Sequence, residues 1–305
     1  MTTHSFYQVD VFTRTPLGGN PLAVFPDARE LDGPTMQAIA REMNLSETTF
    51  VAPSERAARR IRFFTPTAEI PLAGHPTIGT WWLLAELGEL DLSEDRVHRL
   101  LQETDAGVLP VDVEVENGEP VEVTMLQSLP DFLTTVTETE RLAQALGGGP
   151  GTVREQPAPQ VVSTALPQLM VPISDLATLQ SLPSGGTGGQ LAALLREVGS
   201  DCAMCYTMET EEPDSTVHCR MFAPGFGIPE DPATGSAAGA LGSYLVWHGA
   251  LRPHDGTARI VVEQGKEIGR PSRINVEIAV GNGGEITEVR VGGQAVTVVS
   301  GELRL

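Results

Sequence analysis

Glu47 stands in the segment NLSETTFV, residues 44–51, between the end of a helical stretch and the start of an apolar one. A carboxyl partly withdrawn from water at such a junction has a raised pKa and can both take and return a proton; the plainer alternative is an exposed glutamate at a strand end. Two further polar residues occupy matched places, because the chain repeats a phrase: RFFTPTAEIPLAGHPTIGT from Arg62 to Thr80 and RMFAPGFGIPEDPATGS from Arg220 to Ser236. Arg62, Phe64, Pro66, Ile70 and Pro71 match Arg220, Phe222, Pro224, Ile228 and Pro229 at one constant spacing. After a two-residue slip, Pro76, Gly79 and Thr80 fall on Pro232, Gly235 and Ser236, which sets His75 opposite Asp231, each just before a proline. His75 is a candidate general base, a neutral hydrogen-bond donor or a residue satisfied locally; Asp231 is a candidate to bind an amine, to orient His75 or simply to cap its helix.

Each copy reads as an extended apolar run, a proline-punctuated loop and a small-residue helix beginning at or just after Pro76 or Pro232. Unpaired N–H groups and the positive end of the helix dipole attract a carboxylate there, so two such ends facing one cleft would form an anion site. A duplication kept only for packing would equally use Gly79, Gly235, Ala237, Ala238 and Gly239, which suit close helix burial. Together these residues point to proton transfer on a small anionic molecule. One base that removes and returns a proton on one face moves a double bond, whereas stereoinversion needs a second acid on the opposite face.

The elements that must hold these residues follow from periodicity. HSFYQVDVFT alternates as a half-buried strand, and LGGNPLAVFP turns into a second one, forming a hairpin. Gly33 and Pro34 open a helix with Met36, Ile39, Ala40 and Met43 on one face, stopped by Asn44. SETTFVAP and Arg60–Phe64 are strands, and TIGTWWLLAEL is an apolar helix ended by Gly88. Short alternating strands run from Val97 to Met125 with an Asn-Gly turn, and Leu129–Phe132 reads as a crossover. A helix near Glu138–Leu146, strands around Val161 and Leu169, a helical QLAALLREV and several strands from Arg259 complete the second half. Strands outnumber helices without regular βαβ alternation, so the fold class is α+β.

At 305 residues and 41% hydrophobic, the chain suits two domains of ordinary size. A formal charge of −20 repels nucleic acid and anionic membranes over most of the surface. No apolar stretch reaches membrane-spanning length, and the start lacks a signal-peptide pattern, so a cytoplasmic location is expected. The three cysteines are read as reduced thiols. Cys202 and Cys205 form a CxxC, but CAMCYTM reads as a strand whose residues three apart face opposite ways, and no second pair completes a zinc set. His4, His98, His218, His248 and His254 are read as surface or structural. With no dinucleotide fingerprint and no P-loop, neither cofactor nor metal is expected.

GGNPLAVF at 18–25, NLSETTFV, EIPLAGHPTIGT at 69–80 and EDPATGSAAGAL at 230–241 resemble the signature segments of the phenazine-biosynthesis PhzF family, and VVSTALPQLMVPI and VGGQAVTVVSGEL extend the match over nearly the whole chain. The resemblance implies a diaminopimelate-epimerase-like fold: two pseudo-symmetric domains, 1–127 and 128–293, each an antiparallel sheet or barrel around a central helix, with the strand at 294–305 returning to the first. It also implies a cleft between them and a cofactor-free homodimer. In that family a glutamate shuttles a proton during isomerisation of trans-2,3-dihydro-3-hydroxyanthranilate, and Glu47 matches it. Asn20, Ser46, Gly74, His75, Asp231, Gly235 and Ser236 match substrate-contacting positions. Related racemases of this fold use a cysteine at each helix mouth, where this chain carries His75 and Asp231. An amino- or hydroxy-acid racemase and a non-catalytic small-anion-binding protein are the alternative expectations.

Overall fold

The computed structural model describes residues 2–305. In chain order the elements are β1 (Thr3–Val11), β2 (Asn20–Phe25), α1 (Gly33–Met43), β3 (Glu47–Ala52), β4 (Arg59–Phe64), β5 (Glu69–Ile70), α2 (Gly74–Glu86), β6 (Val97–Thr104), β7 (Gly107–Glu116), β8 (Glu119–Gln127), β9 (Asp131–Thr135), α3 (Thr139–Ala145), β10 (Gln160–Ser163), β11 (Pro167–Pro172), α4 (Leu176–Ser181), α5 (Gly189–Val198), β12 (Ala203–Thr207), β13 (Val217–Ala223), β14 (Ile228–Asp231), α6 (Gly235–Trp247), β15 (Thr257–Gln264), β16 (Ser272–Val280), β17 (Ile286–Gly293) and β18 (Ala295–Arg304). Two short 3-10 turns, Pro224–Phe226 and Lys266–Ile268, join them. The chain divides into two compact units, Met1–Met125 with Gly292–Leu305, and Leu126–Val291.

In the first unit β1 pairs antiparallel with β2 and with β18, so the C-terminal strand is held by the N-terminal one. The pairs β3–β4, β6–β7 and β7–β8 are also antiparallel, but β2–β3 and β4–β6 are parallel. The α+β class holds, and within it the sheet expected to be antiparallel also contains parallel pairs, so it is mixed. A parallel pair needs a long crossover, which α1 supplies between β2 and β3, and α2 between β4 and β6. Asp32 starts α1 by accepting the Thr35 N–H at 2.9 Å, Met36, Ile39 and Ala40 form its buried face, and left-handed Asn44 ends it. α2 is buried continuously from His75 to Leu84, which leaves it no solvent face and makes it the unit's centre. A Cβ on Gly79 would lie 2.6 Å from Val11 Cγ2 and 2.8 Å from Leu22 Cδ2, so the glycine lets β1 and β2 close onto the helix.

The second unit repeats the plan. β9–β10, β10–β11, β12–β13 and β15–β16 are antiparallel, whereas β11–β12 and β13–β15 are parallel, bridged by α4 with α5 and by α6. α6 has the same 13-residue length as α2, and its residues from Ala237 to Leu245 are buried. Part of the repeated phrase serves packing: the Arg62 and Arg220 guanidinium groups each lie 5.1 Å from the ring centre of Phe64 and Phe222. Arg62 pairs with Glu69 at 2.6 and 2.8 Å, and Arg220 with Glu230 at 2.8 and 2.7 Å. Two readings change here. Residues 131–132 of the expected crossover open strand β9, and both central helices start away from the prolines, α2 at Gly74 and α6 at Gly235. Proline is tolerated early in a helix without marking its first residue.

Candidate functional site

In the first unit the parallel register of β2 and β3, with Leu22 opposite Glu47, brings the starts of the two strands together. Asn20 opens β2, Glu47 opens β3, and the Ser46 hydroxyl lies 3.4 Å from the Asn20 amide oxygen. His75 is the second residue of α2, and its Nε2 lies 3.4 Å from Glu47 Oε2. The Glu47 side chain is 20% exposed and that of His75 9%. Burial pushes the Glu47 carboxyl above its ordinary value; a hydrogen bond with Ser46 pulls the other way and is outweighed. The helix mouth is open, since Ala73 at the N-cap makes no side-chain bond and the amides of Gly74 and His75 precede any intrahelical acceptor. Five of the sequence-derived residues, Asn20, Ser46, Glu47, Gly74 and His75, thus meet in one half-site with one carboxyl able to carry a proton.

The second unit holds Asp231, Gly235 and Ser236 in the matching place. Asp231 ends β14 and does not cap α6: the N-cap is Thr234, whose hydroxyl donates to the Asp231 carboxylate and accepts no N–H from the helix. Gln264 fixes this corner, its amide N–H donating to the Asp231 carbonyl at 2.7 Å and its oxygen accepting from Thr234 N at 3.3 Å. Gly235 is the first and Ser236 the second residue of α6, so helix position matches Gly74 with Gly235 and His75 with Ser236. The alignment of His75 with Asp231 is corrected accordingly: from the repeated arginine to the helix start the second copy, Arg220 to Gly235, is three residues longer than the first, Arg62 to Gly74, whereas the sequence slip made it two shorter.

Strand register also locates the counterpart of Glu47. Thr48 pairs with Phe64 and Ala203 with Phe222, the repeated phenylalanines, so Glu47 corresponds to Cys202. Cys202 is 2% exposed, and burial pushes its thiol up to about 12. It is no base at neutral pH. The two half-sites share a frame but not a chemistry. Among the described residues no group of three or more His, Cys, Asp or Glu is arranged to hold a metal, and the three cysteines are free and buried.

Sequence reasoning missed the amide side chains around α6, the half-buried Gln127 and the buried Gln168. Gln127 Nε2 donates to the Gly235 carbonyl at 3.0 Å and its Oε1 accepts from Thr164 Oγ1 at 2.7 Å, while Gln168 Nε2 donates to Ser236 Oγ at 3.1 Å. The available signal was a lone glutamine inside the apolar run ALPQLMVPI.

The profile of the phenazine biosynthesis-like protein family, PhzC-PhzF, matches residues 9–301. An uncharacterized isomerase of Mesorhizobium japonicum is 38% identical over 307 residues, 99% of each chain. The trans-2,3-dihydro-3-hydroxyanthranilate isomerase of Pseudomonas aeruginosa is 35% identical over 313 residues, covering 99% of this chain and 100% of that one. A PhzF-family protein of Bacillus anthracis superposes with a TM-score of 0.91 at 31% identity over the full length of both. A hydroxyproline epimerase of Agrobacterium vitis, 14% identical with a TM-score of 0.64 over 99% of this chain and 91% of that one, shares the fold. No helix of the described residues is long and apolar enough to cross a membrane. With a match that runs almost end to end in sequence and in structure, the chain belongs to the phenazine biosynthesis-like PhzC-PhzF family and is an enzyme of the isomerase class.

Proposed function

We propose that the chain is a proton-transfer isomerase in which Glu47 is the single acid and base, acting on a small carboxylate-bearing ring such as trans-2,3-dihydro-3-hydroxyanthranilate, the substrate named for its Pseudomonas relative. The carboxylate form of Glu47 removes a proton from an sp³ carbon, the electron pair delocalises into the adjoining double bonds, and the carboxylic acid so formed returns the proton at another carbon. No redox change occurs and the side chain ends as it began. His75 at 3.4 Å orients the Glu47 carboxyl, while Asn20, Ser46 and Gly74 in the first unit, and Asp231, Gly235 and Ser236 in the second, bind and orient the substrate.

The observation that carries this reading is the chemical asymmetry of a repeated frame: a buried carboxyl with a raised pKa at one strand start, and at the matched place an inert, buried thiol. A two-base racemase requires a working base in each half-site; Cys202 supplies none, and neither helix mouth carries a cysteine, which favours proton migration over inversion. The test is proton NMR of trans-2,3-dihydro-3-hydroxyanthranilate in D₂O with the wild type and Glu47→Gln. The wild type isomerises it with deuterium uptake, and the variant loses about 10²–10⁴-fold in rate while still binding ligand. Wild-type rates in Glu47→Gln would sink the assignment.

A further inference from the structure

We infer that Gln168 is the positioning residue that makes Ser236 a hydrogen-bond donor to the substrate's anionic oxygen. The inference rests on the reading of the α6 mouth as substrate-binding and deepens it. Gln168 lies on β11, is 1% exposed, and reaches the α6 mouth, where its Nε2 donates to Ser236 Oγ at 3.1 Å. Its Oε1 is buried and has no partner. An orphaned polar atom in a core is costly, and a fold that needed only packing at this position would not place an amide there.

The first unit shows that the fold does not need it. Leu169 pairs with Ala203 as Ala23 pairs with Thr48, so the registers set Leu22 where the second unit has Gln168. Leu22 is fully buried and fills its place with an apolar side chain. The neighbouring amide offers a contrast: Gln127 uses both ends, on Gly235 and Thr164, as a structural glutamine does. Gln168 spends its donor on one hydroxyl only.

The direction of that bond decides the chemistry. The opposite amide orientation would bury an unpartnered NH₂ with two donors instead of one carbonyl oxygen, and an orphaned carbonyl is the more tolerable of the two. With Gln168 donating, one lone pair of Ser236 Oγ is taken and its own proton is left to point elsewhere. Ser236 is the second residue of α6, where the N-cap side chain makes no bond to the helix, so this O–H joins the first-turn amides as a donor toward an anion. A serine left to rotate could accept as readily as donate; with Gln168 on one of its two lone pairs the hydroxyl is biased toward donating, which favours an anionic oxygen over a donor group.

The experiment is a double-mutant cycle on affinity for 3-hydroxyanthranilate, the aromatic counterpart of the proposed substrate that has no sp³ carbon to isomerise, measured by titration calorimetry. Gln168→Leu copies the residue of the first unit and is expected to fold. Its affinity falls about 10-fold or more, as loss of support for one charge-assisted hydrogen bond predicts. Ser236→Ala shows a similar loss, and the double variant is no worse than Ser236→Ala alone, because Gln168 acts only through Ser236. Wild-type affinity in Gln168→Leu overturns the proposal, as do losses that multiply in the double variant. Because the probe cannot react, this result is independent of turnover. A wild type that binds it with the predicted cycle yet fails to isomerise the dihydro compound refutes that compound as the substrate and leaves the role of Gln168 standing.

Discussion

Replacing His218 with leucine will cost the second unit much of its stability, and the loss will depend on pH. His218 lies on β13 with no exposed surface; its Nδ1 is 2.7 Å from Glu263 Oε1 and its Nε2 2.8 Å from Glu267 Oε1. An imidazole that bonds a carboxylate at each nitrogen carries a proton on both, so the triad is a buried cation between two anions. Burial alone lowers the His218 pKa, but the hydrogen bonds and charges of Glu267 and Glu263 outweigh it and the net direction is upward from 6.5. Burial raises both carboxyls, and their bonds overcome it: Glu263 accepts the Glu211 and Glu212 N–H groups at 2.6 and 3.1 Å besides His218, and both end below 4.5. Lys266, paired with Glu211 and Glu212 at 3.0 Å, and Arg220 add positive charge nearby. A histidine raised on folding contributes stability in full below its unfolded value and loses it as pH rises through the folded value. Carboxyls depressed on folding contribute above their unfolded value and lose it as pH falls through the folded one. The triad is thus strongest between about 4.5 and 6.5, the unfolded values. His218→Leu leaves two buried carboxylates without their cation, a loss of about 3–5 kcal/mol, or ~6–20 °C in Tm at ~2–4 °C per kcal/mol. Thermal melts at pH 6 read this directly, and the deficit should narrow toward pH 10 as the wild type loses its own cation. Adding Glu267→Gln to the variant should recover part of it. A Tm at pH 6 within about 2 °C of wild type, or a deficit that does not change with pH, would refute the account.

Other outcomes follow from the same geometry. The acid limb of kcat/KM will have its midpoint above 4.5, because Glu47 must be ionised to act as base and burial raises its pKa; Glu47→Gln will lack that limb. The same raised carboxyl costs stability once ionised, so Glu47→Gln will raise Tm at pH 8 and not at pH 4, as paired melts will show. Gly79→Val will lose about 1–3 kcal/mol in denaturant titrations, since its Cβ meets Val11 and Leu22 at 2.6 and 2.8 Å. A thiol reagent at pH 8 will label none of the three buried cysteines in the native protein and all three after denaturation, because burial holds the Cys202 thiol at about 12 and raises Cys205 and Cys219 as well.

Glu47 was legible because its chemistry depends on a local junction, the end of α1 followed by the start of β3, and both ends carry sequence signals in Asn44 and the run ETTFVA. His75 was legible through the repeat. Its partnership with Glu47 was not, because the two meet only when α2 closes the crossover from β4 to β6. The mixed character of the sheets escaped detection for a related reason: period-two patterning reports which face of a strand is buried and is silent about the direction of its neighbour.

By itself the sequence determined the kind of most elements, the duplication, the apolar central helices and the glutamate at the junction of α1 and β3, since all of these follow from local periodicity, turn chemistry and repeated residues. Tertiary structure alone decided that Cys202 is the counterpart of Glu47 in the repeat, that Ser236 and not Asp231 corresponds to His75, that Asp231 takes a threonine hydroxyl instead of a helix cap, and that Gln168 bonds Ser236. Such pairings depend on strand register and on the angle at which a helix enters a sheet. Neither leaves a trace in residue order, because each is set by contacts between segments far apart in the chain.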